Sequence, residues 1–322
     1  MREDAFTHRR RLSAFHVRAI KPRAQLMKLI HCLAITALTL FATACSSPSA
    51  QQAPPPDTDS VPHRDSTALV VAVCPTADCL PLYFAAEKGL FRKNGVEVIL
   101  QNYLSQADCD TAFLGQTADG GLTDLVRANY HGKRGARLEI VSGTDGEWTL
   151  MANGKLRIKD IRQLKRHSVS WIRYSAAHYL MVSALKAAGT DPAEVFPIQI
   201  NDLELRTRML NENQTDAALL PEPYAAIARR RGQRAVSLGI QQPRLGCMVF
   251  RREIMADNRK GKQIKLFLKT YDQAVDSING QNKNRLAPIL SKYYRLDATG
   301  IDSLRLPRYR HAAVPEKTDY AL

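Results

Sequence analysis

Residues 68–73 form a short apolar run with valine at three of its six positions, followed by Pro75, a helix-compatible stretch and a second apolar run from Val96. Rich in valine and closed off by proline, the first run suits a strand buried on both faces better than a surface helix. Gly89 and Gly95 supply two chain reversals. The segment reads strand, loop, helix, turn, strand, the unit from which open α/β sheets build crevices at the carboxyl ends of their strands. A ligand is expected near residues 74–80.

The same alternation continues along the chain. Strands are expected over 69–73, 96–101, 110–114, 138–142, 149–152, 168–172, 195–200, 216–220 and 247–250. Helices are expected over 80–94, 121–131, 158–164, 176–188, 204–213, 222–231, 264–278 and 285–294. Strands alternating with helices argue an α/β fold with largely parallel sheets. No internal repeat is evident.

Three segments carry a more specific likeness. Pro81, Tyr83, Ala85-Ala86 and Glu87-Lys88-Gly89-Leu90-Phe91 come first, with Gly95 before the next strand. Ser175-Ala176-Ala177-His178 follows, with Leu185-Lys186-Ala187-Ala188-Gly189-Thr190-Asp191-Pro192 behind it, and Asp216-Ala217-Ala218 runs into Pro221-Glu222-Pro223-Tyr224. In this order and spacing they resemble the bacterial ABC-transporter substrate-binding proteins for aliphatic sulfonates, nitrate and thiamine-precursor pyrimidines. The resemblance implies a two-lobed periplasmic-binding-protein-like (type II) α/β fold with its ligand cleft between the lobes, and about 255 residues beyond residue 67 are enough for two lobes. Lobe 1 is expected from 68–149 and 238–322, and lobe 2 from 150–237. Gly143, Gly146, Gly239 and Gly246 stand near the crossings to absorb rotation. The implied partners are a small-molecule ligand and separate permease and ATPase subunits.

The N-terminal part reads as targeting sequence. Lys28, the apolar run of residues 33–44 and Cys45 have the layout of a secretory signal ending at a lipidated cysteine. The run is shorter than the roughly 20 residues that span a bilayer. Residues 27–44 are thus expected to be a lipoprotein signal, residues 1–26 an upstream extension, and residues 45–67, rich in Pro and Ser, a flexible tether. The expected location is the cell envelope, facing the periplasm and held to the membrane by lipid on Cys45.

The formal charge of +15 falls to about +9 without residues 1–44, and the remaining basic residues are scattered, with no nucleic-acid-binding module. No nucleic-acid partner is expected; a field that favours an anionic ligand is. Of the cysteines, Cys74, Cys79, Cys109 and Cys247 remain after Cys32 and Cys45 are set aside, and their spacing suits disulfides or structural thiols better than metal. Cofactor and metal are expected to be absent. There is no Gly-x-Ser-x-Gly, His-Glu-x-x-His or phosphate-loop pattern, so an enzyme is not expected. The alternatives are a ligand-sensing or scaffold lipoprotein, or an enzyme like the thiamine-pyrimidine synthases.

Candidate ligand contacts lie at strand ends and helix starts, where unpaired backbone N–H groups meet the positive helix end. Thr76 and Asp78 occupy the first such loop, Asp78 either capping the helix or meeting the ligand, with Tyr83 behind it. Gly121, next to Gly120, and Thr123 mark the second, where the glycines allow close approach or form a plain turn. Trp148 stands at the predicted hinge, as a stacking surface or as core. In the fourth loop Ser175 and Ala176 offer backbone N–H groups and Arg173 a charge. The resemblance adds Glu222 and Tyr224 as cleft residues, Glu222 with little structural role of its own. Arg173 and the basic balance lean towards an anionic group on the ligand.

Overall fold

In the computed structural model, which describes residues 67–316, the opening run forms the buried strand β1 (Leu69–Val73). It pairs in parallel with β2 (Val98–Asn102) and β3 (Gly120–Asp124), setting Leu69 against Val98 and Val71 against Gly120. The chain continues through β4 (Leu138–Gly143), β5 (Trp148–Ala152), β6 (Ser168–Ser170), β7 (Phe196–Ile198), β8 (Ala217–Pro221), β9 (Arg234–Val236) and β10 (Gly246–Arg251). One sheet has the order β2-β1-β3-β10-β4, the other β7-β6-β8-β5-β9. β10 runs antiparallel to β3 and β4, and β5 antiparallel to β8 and β9. The chain crosses from the first sheet to the second over residues 144–147 and returns over 237–245.

Each sheet buries one set of helices. In the helix Lys260–Asn279, Ile264, Phe267, Tyr271, Ala274, Val275 and Ile278 recur at helical spacing and pack against Leu82, Tyr83 and Phe84 beneath β1. Phe267 stacks on Phe91 with ring centroids 5.5 Å apart and meets Phe250 edge-on. Against the second sheet, Leu180, Met181, Ala184 and Leu185 of the helix Ala176–Ala187 cover Leu150, Val169 and Leu219. Burial of each such side chain contributes about 1.5–3 kcal/mol. A third apolar cluster joins Val70, Ala72 and Val249 of the first sheet to Met151, Ala218 and Leu220 of the second, so the floor between the sheets is a packed seam.

Three local expectations are corrected. Residues 110–114 belong to the helix Gln106–Leu114, not to a strand, because the Ser105 hydroxyl accepts from the Asp108 N–H at 3.1 Å and caps the first turn. The helix expected over 121–131 begins only at Leu125, since residues 120–124 are β3. A side chain at Gly120 would strike the Val249 carbonyl and the Phe250 ring, and one at Gly121 would lie 2.7 Å from the Ala72 carbonyl. These glycines let β3 fit between β1 and β10. Only Ile161–Leu164 of the segment 158–164 coils, as a 3-10 turn capped by Asp160.

The signal, Cys45 and the tether lie outside the described residues. Among the described residues no helix is long and apolar enough to cross a membrane. Cys74, Cys79, Cys109 and Cys247 are buried free thiols, and Cys79 Sγ donates to the Cys74 carbonyl at 2.9 Å instead of bridging to it.

Candidate functional site

A cleft of about 750 Å³, counted to its mouth, opens where the carboxyl ends of β1, β3 and β8 face the start of the helix Ala176–Ala187. The loop after β1 forms one wall. It is fastened from behind by the Tyr294 and Tyr309 hydroxyls, which donate to the Thr76 and Ala77 carbonyls at 2.8 Å, and from across the cleft by the Glu222 carbonyl, which accepts from the Ala77 N–H at 2.8 Å.

Asp78 is buried in this wall. Thr76 Oγ1 donates to one of its oxygens at 2.6 Å and Thr144 Oγ1 to the other at 2.8 Å. Burial pushes its carboxyl above the ordinary range, and the two hydroxyls offset part of the rise. Among the described residues it forms no ion pair. Deeper in, Asp110 accepts from Thr123 Oγ1 at 3.0 Å and His131 Nε2 lies 2.9 Å away, with Arg127 Nε paired to the same carboxylate. Thr123 is thereby held at the cleft with its proton turned inward.

Asp124 closes the far side. It caps the helix Leu125–Gly132 through the Arg127 N–H at 2.9 Å and also takes a hydrogen bond from the Ala176 N–H at the start of the second sheet's helix. Burial pushes its carboxyl up to about 6, against the pull of Arg127 and with Asp110 adding repulsion. Asp124→Asn tests this, because asparagine keeps the cap without the charge. The native carboxyl stays protonated above its ordinary 3.8, so its contribution to stability is full at low pH and is lost as pH rises through about 6. The loss is on the order of 3 kcal/mol. Urea unfolding from pH 4 to 8 should show the variant gaining on the wild type as pH rises; a difference independent of pH would assign the burial cost elsewhere.

Of the residues singled out from sequence, Thr76, Asp78, Thr123, Trp148, Ser175 and Glu222 line the cleft. Five do not. Tyr83 is buried under the sheet, stacked on Tyr293 with centroids 4.0 Å apart. Gly121 is spent on strand packing, as above. Arg173 is exposed, and its charge, after burial, helps to hold the His178 imidazole below its ordinary value. Ala176 is buried with its N–H given to Asp124. Tyr224 packs in the seam between the sheets.

The structure adds lining residues that local reading passed over. Asp145, in the first crossing, accepts from Arg310 Nε at 2.8 Å and pairs with Arg244 at 3.1 Å. Arg206 is buried to 1 % exposure, with its guanidinium bonded to the Ile200 and Leu219 carbonyls. Burial pulls it down to about 10. Its signal was present in the sequence: Leu203, Arg206, Thr207 and Leu210 form the buried stripe of one helix, where an arginine is out of place. Arg305 stands exposed at the mouth.

The family model described as "NMT1/THI5 like" matches residues 76–276. No curated protein sequence matches the chain. Among solved structures it is similar to the alkanesulfonate-binding protein of Xanthomonas axonopodis pv. citri bound to MOPS, at 16 % identity over 77 % of this chain and 88 % of that one, with a TM-score of 0.63. The periplasmic aliphatic sulphonate-binding protein of Escherichia coli aligns at 18 % identity, 76 % and 85 % coverage and a TM-score of 0.61. The periplasmic nitrate-binding protein of Synechocystis PCC 6803 aligns at 17 % identity, 74 % and 69 % coverage and 0.64. At these identities the likeness establishes the fold, the two-lobed periplasmic-binding-protein architecture with α/β lobes.

Proposed function

This chain belongs to the NMT1/THI5 like family, and from that premise we propose that it is the solute-binding component of an ABC importer. In this reading lipid on Cys45 anchors it, periplasm-facing, in the cell envelope. The observation that carries the proposal is the cleft itself, in which polar side chains from the ends of β1, β3 and β8 converge between two sheets joined by two chain crossings. Sulfonate- and nitrate-binding proteins of the same fold support it.

The mechanism is capture by closure. Asp78 and Thr123 belong to the first sheet's side of the cleft, and Ser175 and Glu222 to the second's. A solute that touches both sides favours the closed form, and only differential contact of this kind can shift the population. The crossings at 144–147 and 237–245 absorb the rotation, the second through Gly239, whose φ of 68° suits glycine. The closed surface is what a permease with its ATPase would recognise. Residues 45–67 give the reach from the membrane.

Native mass spectrometry of the mature protein, purified without refolding, tests this reading. The expected result is a discrete small-molecule adduct that is lost on gentle denaturation. An empty protein that also gives no thermal shift with sulfonates, pyrimidines or nitrate would instead support a sensory or scaffold lipoprotein.

A further inference from the structure

The helix Lys260–Asn279 carries its charges in the order that helix physics disfavours. Acids near the start and bases near the end stabilise a helix. Here the first turn holds no acid and the last turn no base. Lys262, Lys265, Leu266 and Lys269 recur at helical spacing opposite the buried stripe of Ile264, Phe267 and Tyr271, and all four are exposed. Among the described residues the three lysines form no ion pair. The helix's acids come later and are engaged. Asp272 accepts from the Ala312 N–H at 2.6 Å, and Asp276 lies 2.7 Å from His311 Nε2. Asp257, ahead of the first turn, accepts from the Lys260 N–H at 2.7 Å and so meets the backbone.

The basic stripe starts at the end of the first lobe remote from the cleft. Lys260 Nζ donates to Asp119 at 2.7 Å, and Asp119 accepts from the Val70 N–H at 2.9 Å, at the amino end of β1. The cleft opens at the carboxyl end of that strand. The short helix Leu90–Lys93 is fastened alongside, with Phe91 stacked on Phe267 and Asn94 Nδ2 donating to Thr270 Oγ1 at 2.8 Å, and it adds the exposed Arg92 and Lys93. Asp119 is held by Lys260, Glu253 by Arg251 and Glu139 by Arg252, which leaves Glu97 as an exposed acid beside these bases. Residues 45–67 also join the fold at this end, because Leu69 opens β1.

Resting on the anchored reading above, we propose that this basic face is a membrane-docking surface, which seats on anionic phospholipid headgroups and holds the first lobe with its cleft turned away from the bilayer. Each lysine near an anionic membrane contributes about 1 kcal/mol. Leu266, 37 % exposed, adds an apolar side chain at the contact. The stripe has no aromatic ring on which a base could stack, so it suits headgroups better than a nucleic-acid strand.

The mature chain with Cys45→Ser cannot carry the lipid, so its binding to vesicles reads the face. It should sediment with vesicles of phosphatidylglycerol and phosphatidylcholine in equal parts and not with phosphatidylcholine alone, and salt of about 0.5 M should release it. The triple variant Lys262→Gln, Lys265→Gln, Lys269→Gln should bind the anionic vesicles on the order of a hundredfold more weakly. Its melting temperature should stay close to that of the parent, since all three side chains are exposed. Lys155→Gln, Lys159→Gln, Lys186→Gln removes the same charge from exposed positions of the second lobe and should bind nearly as the parent does. Equal losses in the two triples would reduce the effect to net charge and overturn the inference. Equal binding to both vesicle types would overturn it, as would no binding to the anionic ones, with or without capture by duplex DNA. The mass of Cys45 in the native protein tests the anchor separately: a free thiol there would end the anchored reading and leave the vesicle result standing.

Discussion

Glu222→Ala is expected to cost about 3–5 kcal/mol of stability, the range for breaking a buried ion pair by removing one partner. For a chain of this size that is a fall in melting temperature on the order of 10 °C. One carboxylate oxygen pairs with Arg229 Nη2 and the other accepts from the Ala226 N–H at 3.0 Å, so the side chain binds the end of β8 to the helix that follows it. Alanine would leave the Arg229 guanidinium with the Ser303 carbonyl as its remaining hydrogen-bond partner at 3.0 Å, and its Nη1 is already a buried donor without one. Burial raises the Glu222 carboxyl and Arg229 offsets part of that rise, so the pairing keeps a charge tolerable in this wall. Glu222→Gln keeps an acceptor for Ala226 and should lose about half as much. Chemical unfolding of the three proteins decides the matter. A loss in the alanine variant below about 1 kcal/mol would mean that the pair behaves like a surface one.

That expectation revises the sequence reading, which gave Glu222 a ligand-facing role with little structural weight. The Pro221-Glu222-Pro223-Tyr224 segment is recognisable because it is contiguous. The partner that decides what Glu222 does, Arg229, is seven positions on and identifiable only once the helix exists. The same distinction runs through the chain. β1 and the loop at Thr76 and Asp78 were legible because a valine-rich strand followed by a proline turn is local chemistry. Asp145 was not, since its partner Arg310 is 165 positions away. Residues 120–124 were misread because two glycines weaken any periodicity. Their reason for being glycine is the approach of β1 and β10, which only the sheet order reveals. Arg173 stood in the right loop, but nothing in its spacing told which way it would turn.

The charge of the cleft follows from the same long-range pairings. The basic surplus of the chain suggested an anionic ligand, yet most of the arginines at the cleft are already engaged, and Arg305 alone of those named stands exposed at its mouth. Arg206 is committed to carbonyls, and Arg244 and Arg310 neutralise Asp145 from behind. Net charge describes the surface field, whereas the sign at a binding wall is set by which charges remain without a counter-charge.

Arg206→Ala is expected to be the other severely destabilising substitution, at about 3 kcal/mol or more, with competing terms that can be weighed. The buried guanidinium carries a cost: a side chain pulled from its ordinary 12.5 down to about 10 gives up on the order of 3 kcal/mol at neutral pH relative to its neutral form. Truncation removes that cost. It also removes charged-donor hydrogen bonds to the Ile200 and Leu219 carbonyls, worth roughly 1.5–3 kcal/mol each. The cavity left by one of the largest fully buried side chains adds a further roughly 2–5 kcal/mol. The losses exceed the relief, so the helix Leu203–Asn211 should loosen against β8. Arg206→Lys keeps the stem and one carbonyl contact and should fall between the two. Because the native charge is disfavoured, the wild-type penalty is full below about pH 10 and lifts only as pH rises through it. Urea unfolding of the wild type and both variants at neutral pH measures the balance. An alanine variant as stable as the wild type would show that the carbonyls find other partners and that the guanidinium contributes no net stability to the wall.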